Sequence, residues 1–189
     1  MASAIAHGVL AFSASKGLYP GQTKRLWISA VVCSILPDYD TVGYFYGIPY
    51  NSFLGHRGFT HSLPFALLLA LVTVRFVFPA VTRLSGHWLK LLLFFFFVTA
   101  SHGFLDAMTS GGLGVAFFSP FVLTRYFLPW RPLKVSPIGI FDFTPGQGRD
   151  VFVSELLWVI LPSLALWGVA GAIWRFRKSR IDRSGAYHG

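Results

Sequence analysis

Between Asp150 and the cluster Arg175, Arg177, Lys178 and Arg180 lies a long apolar run, Glu155 to Trp174. About 20 apolar residues suffice for a helix to cross the hydrocarbon core of a bilayer, and only a helix satisfies its own backbone there. The run therefore predicts a spanning helix, with Pro162 as a kink site. Ser62–Thr82 is a second candidate, its Arg75 able to snorkel to the nearer interface. Trp88 to about Met108 is a third and carries the block Phe94–Phe97. The chain is 54% hydrophobic and only 12% charged, whereas soluble domains carry about 25% charged residues. Water alone is a poor solvent for it.

Other segments are less regular. Ala2–Ser15 and Leu26–Leu36 are apolar but short for spanning at roughly 1.5 Å per residue, so a hairpin, re-entrant or interfacial placement is expected. Gly111–Leu128 is aromatic and glycine-rich and suits the interface. The Pro and Gly density of Pro129–Asp150 predicts an ordered loop. The expected fold is an all-α integral membrane protein, a polytopic bundle with about four spanning segments plus short re-entrant or interfacial helices. Residues 1–175 form one membrane-embedded domain and 176–189 a basic cytoplasmic tail.

The net charge is +9, but the basic residues sit between and after the apolar runs. That distribution fits the positive-inside rule and anionic lipid headgroups better than nucleic acid, which is not expected as a partner. It places the C-terminus and the turns at Lys16–Arg25 and Arg83–Lys90 on the cytoplasmic side. The single Cys33 excludes an intramolecular disulfide and a multi-cysteine zinc site. Lys16 follows the first apolar segment instead of preceding it, so a cleavable signal peptide is not expected.

Four polar motifs interrupt this chain: His7; Leu-Pro-Asp38-Tyr-Asp40; Gly-His56-Arg57-Gly-Phe-Thr60-His61-Ser62; and Ser-His102-Gly-Phe-Leu-Asp106-Ala-Met-Thr109. In the topology above all four fall at the outer ends of their segments, and His87 alone lies at an inner turn. Imidazole and carboxylate are the ligands of zinc, and of manganese or iron at similar sites. His102 and Asp106, four residues apart, share one helix face. Buried in the apolar zone they would cost roughly 2.5–3.5 kcal/mol each, a cost that a shared cation offsets. Taken singly, each motif has an ordinary structural explanation. His7 suits a hydrogen-bonded interior histidine, Asp38 and Asp40 a turn or cap, His56 and His61 a capping loop, and His102 with Asp106 a polar pair between helices. Taken together they point to a metal site. No Gly-x-Ser-x-Gly elbow and no His-Glu-x-x-His pattern occurs.

These motifs resemble the YdjM-type family of bacterial and archaeal inner-membrane proteins, described as metal-dependent hydrolases and in some cases LexA-controlled. The match covers about positions 7–109. More distantly, the ligand order is similar to the zinc-dependent phospholipase C and single-strand nuclease superfamily. By that similarity His61, His102, Asp106 and one of Asp38 or Asp40 would hold one metal, and His7 with a shared Asp106 a second. Further ligands of that superfamily have no counterpart after Asp106, so one or two divalent ions are expected, zinc foremost.

The expected activity is hydrolysis of a phosphoester on a lipid or another amphiphile by metal-activated water. Whichever of Asp38 and Asp40 does not bind metal would accept a proton or orient His61. Arg57 would clamp a phosphate oxygen, and His56 completes the catalytic candidates. The site would face the outer side of a bacterial or archaeal inner membrane, with membrane lipids as partners. The alternative is a non-catalytic, metal-stabilised scaffold or regulator. A transporter or channel would need polar residues spread along the membrane normal, and the chain has too few.

Overall fold

A computed structural model describes residues 1–21, 23–137 and 144–185. Its helices are α1 (Ala4–Leu18), α2 (Lys24–Ile35), α3 (Leu63–Val77), α4 (Gly86–Ala107), α5 (Pro145–Glu155) and α6 (Leu161–Gly185). Two 3-10 segments, Leu36–Tyr46 and Phe59–His61, link α2 to α3. No β-strand occurs among the described residues, only two isolated bridges, Thr109 with Leu133 and Val115 with Tyr126. The described residues are mainly helical, as the long apolar runs lead us to expect.

Helix ends follow local chemistry. Ser3, Ser62, Ser85 and Thr144 are the N-caps of α1, α3, α4 and α5, and each side chain accepts a backbone N–H from its first turn. Helix α3 ends at Val77, just before Phe78-Pro79, so the expected run to Thr82 is cut short at 15 residues. The last helix starts ten residues earlier than the apolar run suggested: the Thr144 cap and Pro145 begin it inside the expected loop. Of the 129–150 loop, residues 138–143 lie outside the described residues, as do the last four of the 176–189 tail.

Helices α5 and α6 are joined by a π turn over Leu156–Ile160, in which Leu161 N–H bonds the Leu156 carbonyl. Pro162 supplies the reason. Its ring would clash with the carbonyl four residues back and it has no N–H to give, and one wider turn accommodates both defects. Two helices are long and apolar enough to span a bilayer, Gly86–Ala107 and the continuous Gly146–Arg180. Half of the apolar window of the first is buried within the protein, against 11% of the second. Helix α4 is thus central and the last helix peripheral.

One core lies between α1, α2, α3 and α4, where Ala11, Ala30 and Ala70 let the backbones approach around Leu91, Phe94, Phe95 and Val98. Successive helices reverse direction: His7 stacks on His102 at one end of the α1–α4 pair, and Tyr19 Oη donates to the Lys90 carbonyl at the other. This alternation gathers the start of α1, the end of α2, the start of α3, the end of α4 and the start of α5 at one pole. The basic residues Lys16, Lys24, Arg25, Arg75, Arg83 and Lys90 belong to the opposite ends of the same elements.

Candidate metal centre

The polar pole is assembled from four segments. The 3-10 turn after α2 carries Asp38 and Asp40, and the loop before α3 carries His56, Arg57 and His61. The last two turns of α4 carry His102 and Asp106, and the first turn of α1 carries His7. All four motifs of the sequence meet, and every one of these eight residues except Asp40 is buried. His87, at the start of α4, stands apart at the opposite pole beside Lys24 and Arg25.

Ring orientation fixes what the imidazoles offer. His102 Nδ1 sits 2.6 Å from the Ser34 carbonyl, which can only accept, so this nitrogen carries the proton and Nε2 carries a lone pair. His61 Nδ1 lies 3.1 Å from Asp40 Oδ2 and also faces Thr60 Oγ, whose own proton goes to Asp40. His61 Nδ1 is therefore the donor there. The two Nε2 atoms face each other at 3.1 Å. Asp38 Oδ1 is 3.3 Å from His102 Nε2 and 3.6 Å from His61 Nε2, and Asp106 Oδ2 is 3.6 Å from His61 Nε2. One ligand atom from each of Asp38, His61, His102 and Asp106 lies within 4.8 Å of all the others.

Two lone pairs and carboxylate oxygens converging in a buried site repel unless a cation sits among them. Neither Asp38 oxygen has a hydrogen-bond donor, and neither His7 nitrogen has a partner, although buried polar groups are normally satisfied. Within this cluster three carboxylates face one guanidinium, an excess that one divalent ion neutralises. Donor set, spacing and orphaned atoms all fit a divalent metal held by Asp38, His61, His102 and Asp106. His7 Nε2, 3.7 Å from Asp106 Oδ1, flanks this set. Burial opposes a charge on His61, but Asp106, Asp38 and Asp40 outweigh it and raise the imidazole well above its usual range. The pocket selects a cation at that nitrogen, whether proton or metal.

Asp40 differs from Asp38 in having every lone pair addressed. It accepts from His56 Nδ1 at 2.7 Å, the Arg57 backbone N–H at 3.2 Å and Thr60 Oγ at 2.6 Å, besides facing His61. Burial alone would raise its carboxyl, yet these bonds from His56 and His61 hold it down at about 2. A second group of Asp40, His56 and His61 also has metal-like spacing; direct hydrogen bonds already account for it. Arg57, fully buried, gives Nε to Asp106 at 3.1 Å, Nη1 to the Gly111 carbonyl at 2.9 Å and Nη2 to Thr109 Oγ1 at 2.8 Å.

Three contributors were not singled out by sequence motifs. Ser34 orients His102 through a carbonyl that any residue would supply. Gly103 leaves room for the α3 approach: a Cβ there would lie 2.7 Å from the His61 carbonyl oxygen. Glu155, read from sequence only as a boundary, is buried and accepts from both the N–H and the hydroxyl of Ser3. With the Ala2 N–H donating to Asp106 Oδ1 at 2.6 Å, two carboxylates grip the positive end of α1 and set His7 in place. The rarity of Glu155, the chain's single glutamate, was the available signal.

A family model described as YdjM inner membrane protein matches residues 1–177. The inner membrane protein YbcI of Escherichia coli (strain K12) is 37% identical over 153 residues, which is 81% of this chain and 86% of that protein. No solved structure matches. With a helical fold, spanning-length helices and a match over nearly its whole length, the chain belongs to the YdjM family of inner membrane proteins.

Proposed function

We propose that this protein is a membrane-embedded, metal-dependent hydrolase acting on a phosphoester of a lipid or another amphiphile. The observation that carries the reading is the pair of imidazole lone pairs, from His61 and His102, aimed at each other and at an undonated Asp38 carboxylate. Asp38, His61, His102 and Asp106 would hold the metal, zinc foremost, with His7 available to a second ion beside Asp106. Such an ion supplies Lewis acidity and activates water at neutral pH.

The remaining residues position this set. Asp40 orients His61 and fixes its tautomer, the usual role of a carboxylate behind a metal-binding histidine. Arg57 holds Asp106 and the turn at Thr109–Gly111; its donors are turned inward, so it orders the ligand instead of clamping a phosphate. The positive-inside rule puts the basic pole and the C-terminus in the cytoplasm and the metal centre toward the outer face.

Purified protein is expected to contain near-stoichiometric divalent metal and to release product from lipid phosphoesters. His102→Ala and Asp106→Ala should each lose metal and turnover together. Metal-free wild type with an intact fold would end this reading. A second reading, a metal-stabilised scaffold, is favoured by the burial of all four candidate ligands, because a structural site has its shell filled by protein. Full metal occupancy with no turnover on any phosphoester would select it.

A further inference from the structure

Beside the metal centre, on the polar pole, opens a cavity of about 410 Å³ whose lining includes Tyr50, His56, Gly112, Ser136 and Gln147. It is the size of a small-molecule site. His56 is 1% exposed, and its Nε2 has no hydrogen-bond partner. Because its Nδ1 donates to the ionised Asp40 at 2.7 Å, Nε2 of the neutral ring is an acceptor without a donor. An acceptor left so is costly, and an O–H or an N–H of a bound molecule would recover that cost.

The charges around the cavity choose between those donors. Arg125 donates to the His56 carbonyl at 2.9 Å and to the Tyr50 carbonyl at 3.0 Å. Gly112, at φ +89°, presents bare backbone to the Arg57 guanidinium, and a Cβ there would lie 2.6 Å from Arg57 Nη1 and 2.9 Å from Tyr50 Oη. Two guanidinium groups therefore lie just behind the cavity wall, Arg57 beneath Gly112 and Arg125 on the backbone of Tyr50 and His56. They disfavour an ammonium and favour an anion carrying a hydroxyl. Met1, whose N-terminal ammonium donates to the Ser136 carbonyl at 3.4 Å, lines the cavity and adds to this preference for an anion, while the side chains of Tyr50, Ser136 and Gln147 are uncharged and suit hydroxyl groups.

We infer that this cavity seats the headgroup of the substrate, and that His56 Nε2 accepts a hydrogen bond from a free hydroxyl on the alcohol half of an anionic phosphoester, as in phosphoglycerol. The Asp40 carboxylate, shared by His56 and His61, connects the cavity to the metal centre through one residue. The inference rests on the hydrolase reading for the word substrate, but binding can be measured without turnover.

The test uses full-length, metal-loaded protein in detergent and two soluble probes, dihexanoyl phosphatidylglycerol and dihexanoyl phosphatidylethanolamine, whose acyl esters leave free hydroxyls only on the phosphoglycerol headgroup. The first should bind at least about tenfold more tightly, a difference of roughly 1.4 kcal/mol. His56→Phe should erase that preference. Gln147→Trp, which fills the cavity from an exposed wall without touching the Asp40 network, should erase it as well and decides the matter if His56→Phe fails to fold. Equal affinities, binding of neither probe, or a preference that survives Gln147→Trp would overturn the headgroup assignment. A protein that binds selectively but never cleaves keeps this assignment and loses the hydrolase reading. One that cleaves lipids of both headgroups equally does the reverse.

Discussion

At the scale of single residues, Asp38 and Asp40 show how neighbours decide the use of identical side chains. Two positions apart on a 3-10 turn, they face different surroundings. Asp40 meets four donors and is spent on hydrogen bonds, while Asp38 meets lone pairs and none. Asp38→Asn should accordingly abolish metal retention through dialysis. Asp40→Asn, which removes the acceptor behind His61, should weaken affinity by about 10–100-fold without abolishing it. Competition titration against a chelator measures both; equal losses would mean that both carboxylates bind the ion. The motif Pro-Asp-x-Asp told us that carboxylates were present, but not which of them points inward. That choice depends on Thr60 and the Arg57 backbone, about 20 residues away.

At the scale of elements, the polar pole depends on how closely helices approach. Gly103 lies on α4 next to His102, and the His61 carbonyl occupies the space that a side chain would take. Gly103→Ala changes no ligand, yet it must push the His61 turn away by several tenths of an ångström. We expect Gly103→Ala to lower metal affinity at least tenfold while raising intrinsic helix propensity, read by the same titration; unchanged affinity would show that the turn can give. Helix existence was legible in the apolar runs, because their length and the flanking charges reflect the bilayer itself. Boundaries were not. Val77 ends α3 because of Pro79, and Thr144 starts the last helix ahead of its apolar stretch, so capping chemistry and not hydropathy drew both limits. The π turn was half visible: Pro162 announced a defect, and the packing chose a wide turn.

At the scale of the whole molecule, alternation of helix direction separates the candidate metal centre from most of the basic residues. The histidines and carboxylates of the candidate centre collect at one pole and most cations at the other. This explains why motifs spread from His7 to Asp106 in sequence could be expected to meet. The meeting was legible once the helices were counted, whereas the contribution of Glu155 was not, because it comes from the far end of the chain. The orientation has its own check. Single cysteines introduced at Tyr46 and Lys178 in a Cys33→Ala background should react with an impermeant reagent from outside and only after permeabilisation, respectively; the opposite pattern would invert the assignment.

The central claim is that Asp38, His61, His102 and Asp106 bind one ion in common. X-ray absorption spectroscopy on protein purified without added chelator addresses it most directly. The account predicts a divalent metal in a mixed shell of imidazole nitrogen and carboxylate oxygen at roughly 2.0–2.2 Å, the range expected for zinc, with the imidazole signature lost in His102→Ala. A shell containing sulfur, a hydrated ion without imidazole scattering, or a spectrum indifferent to His102→Ala would contradict it.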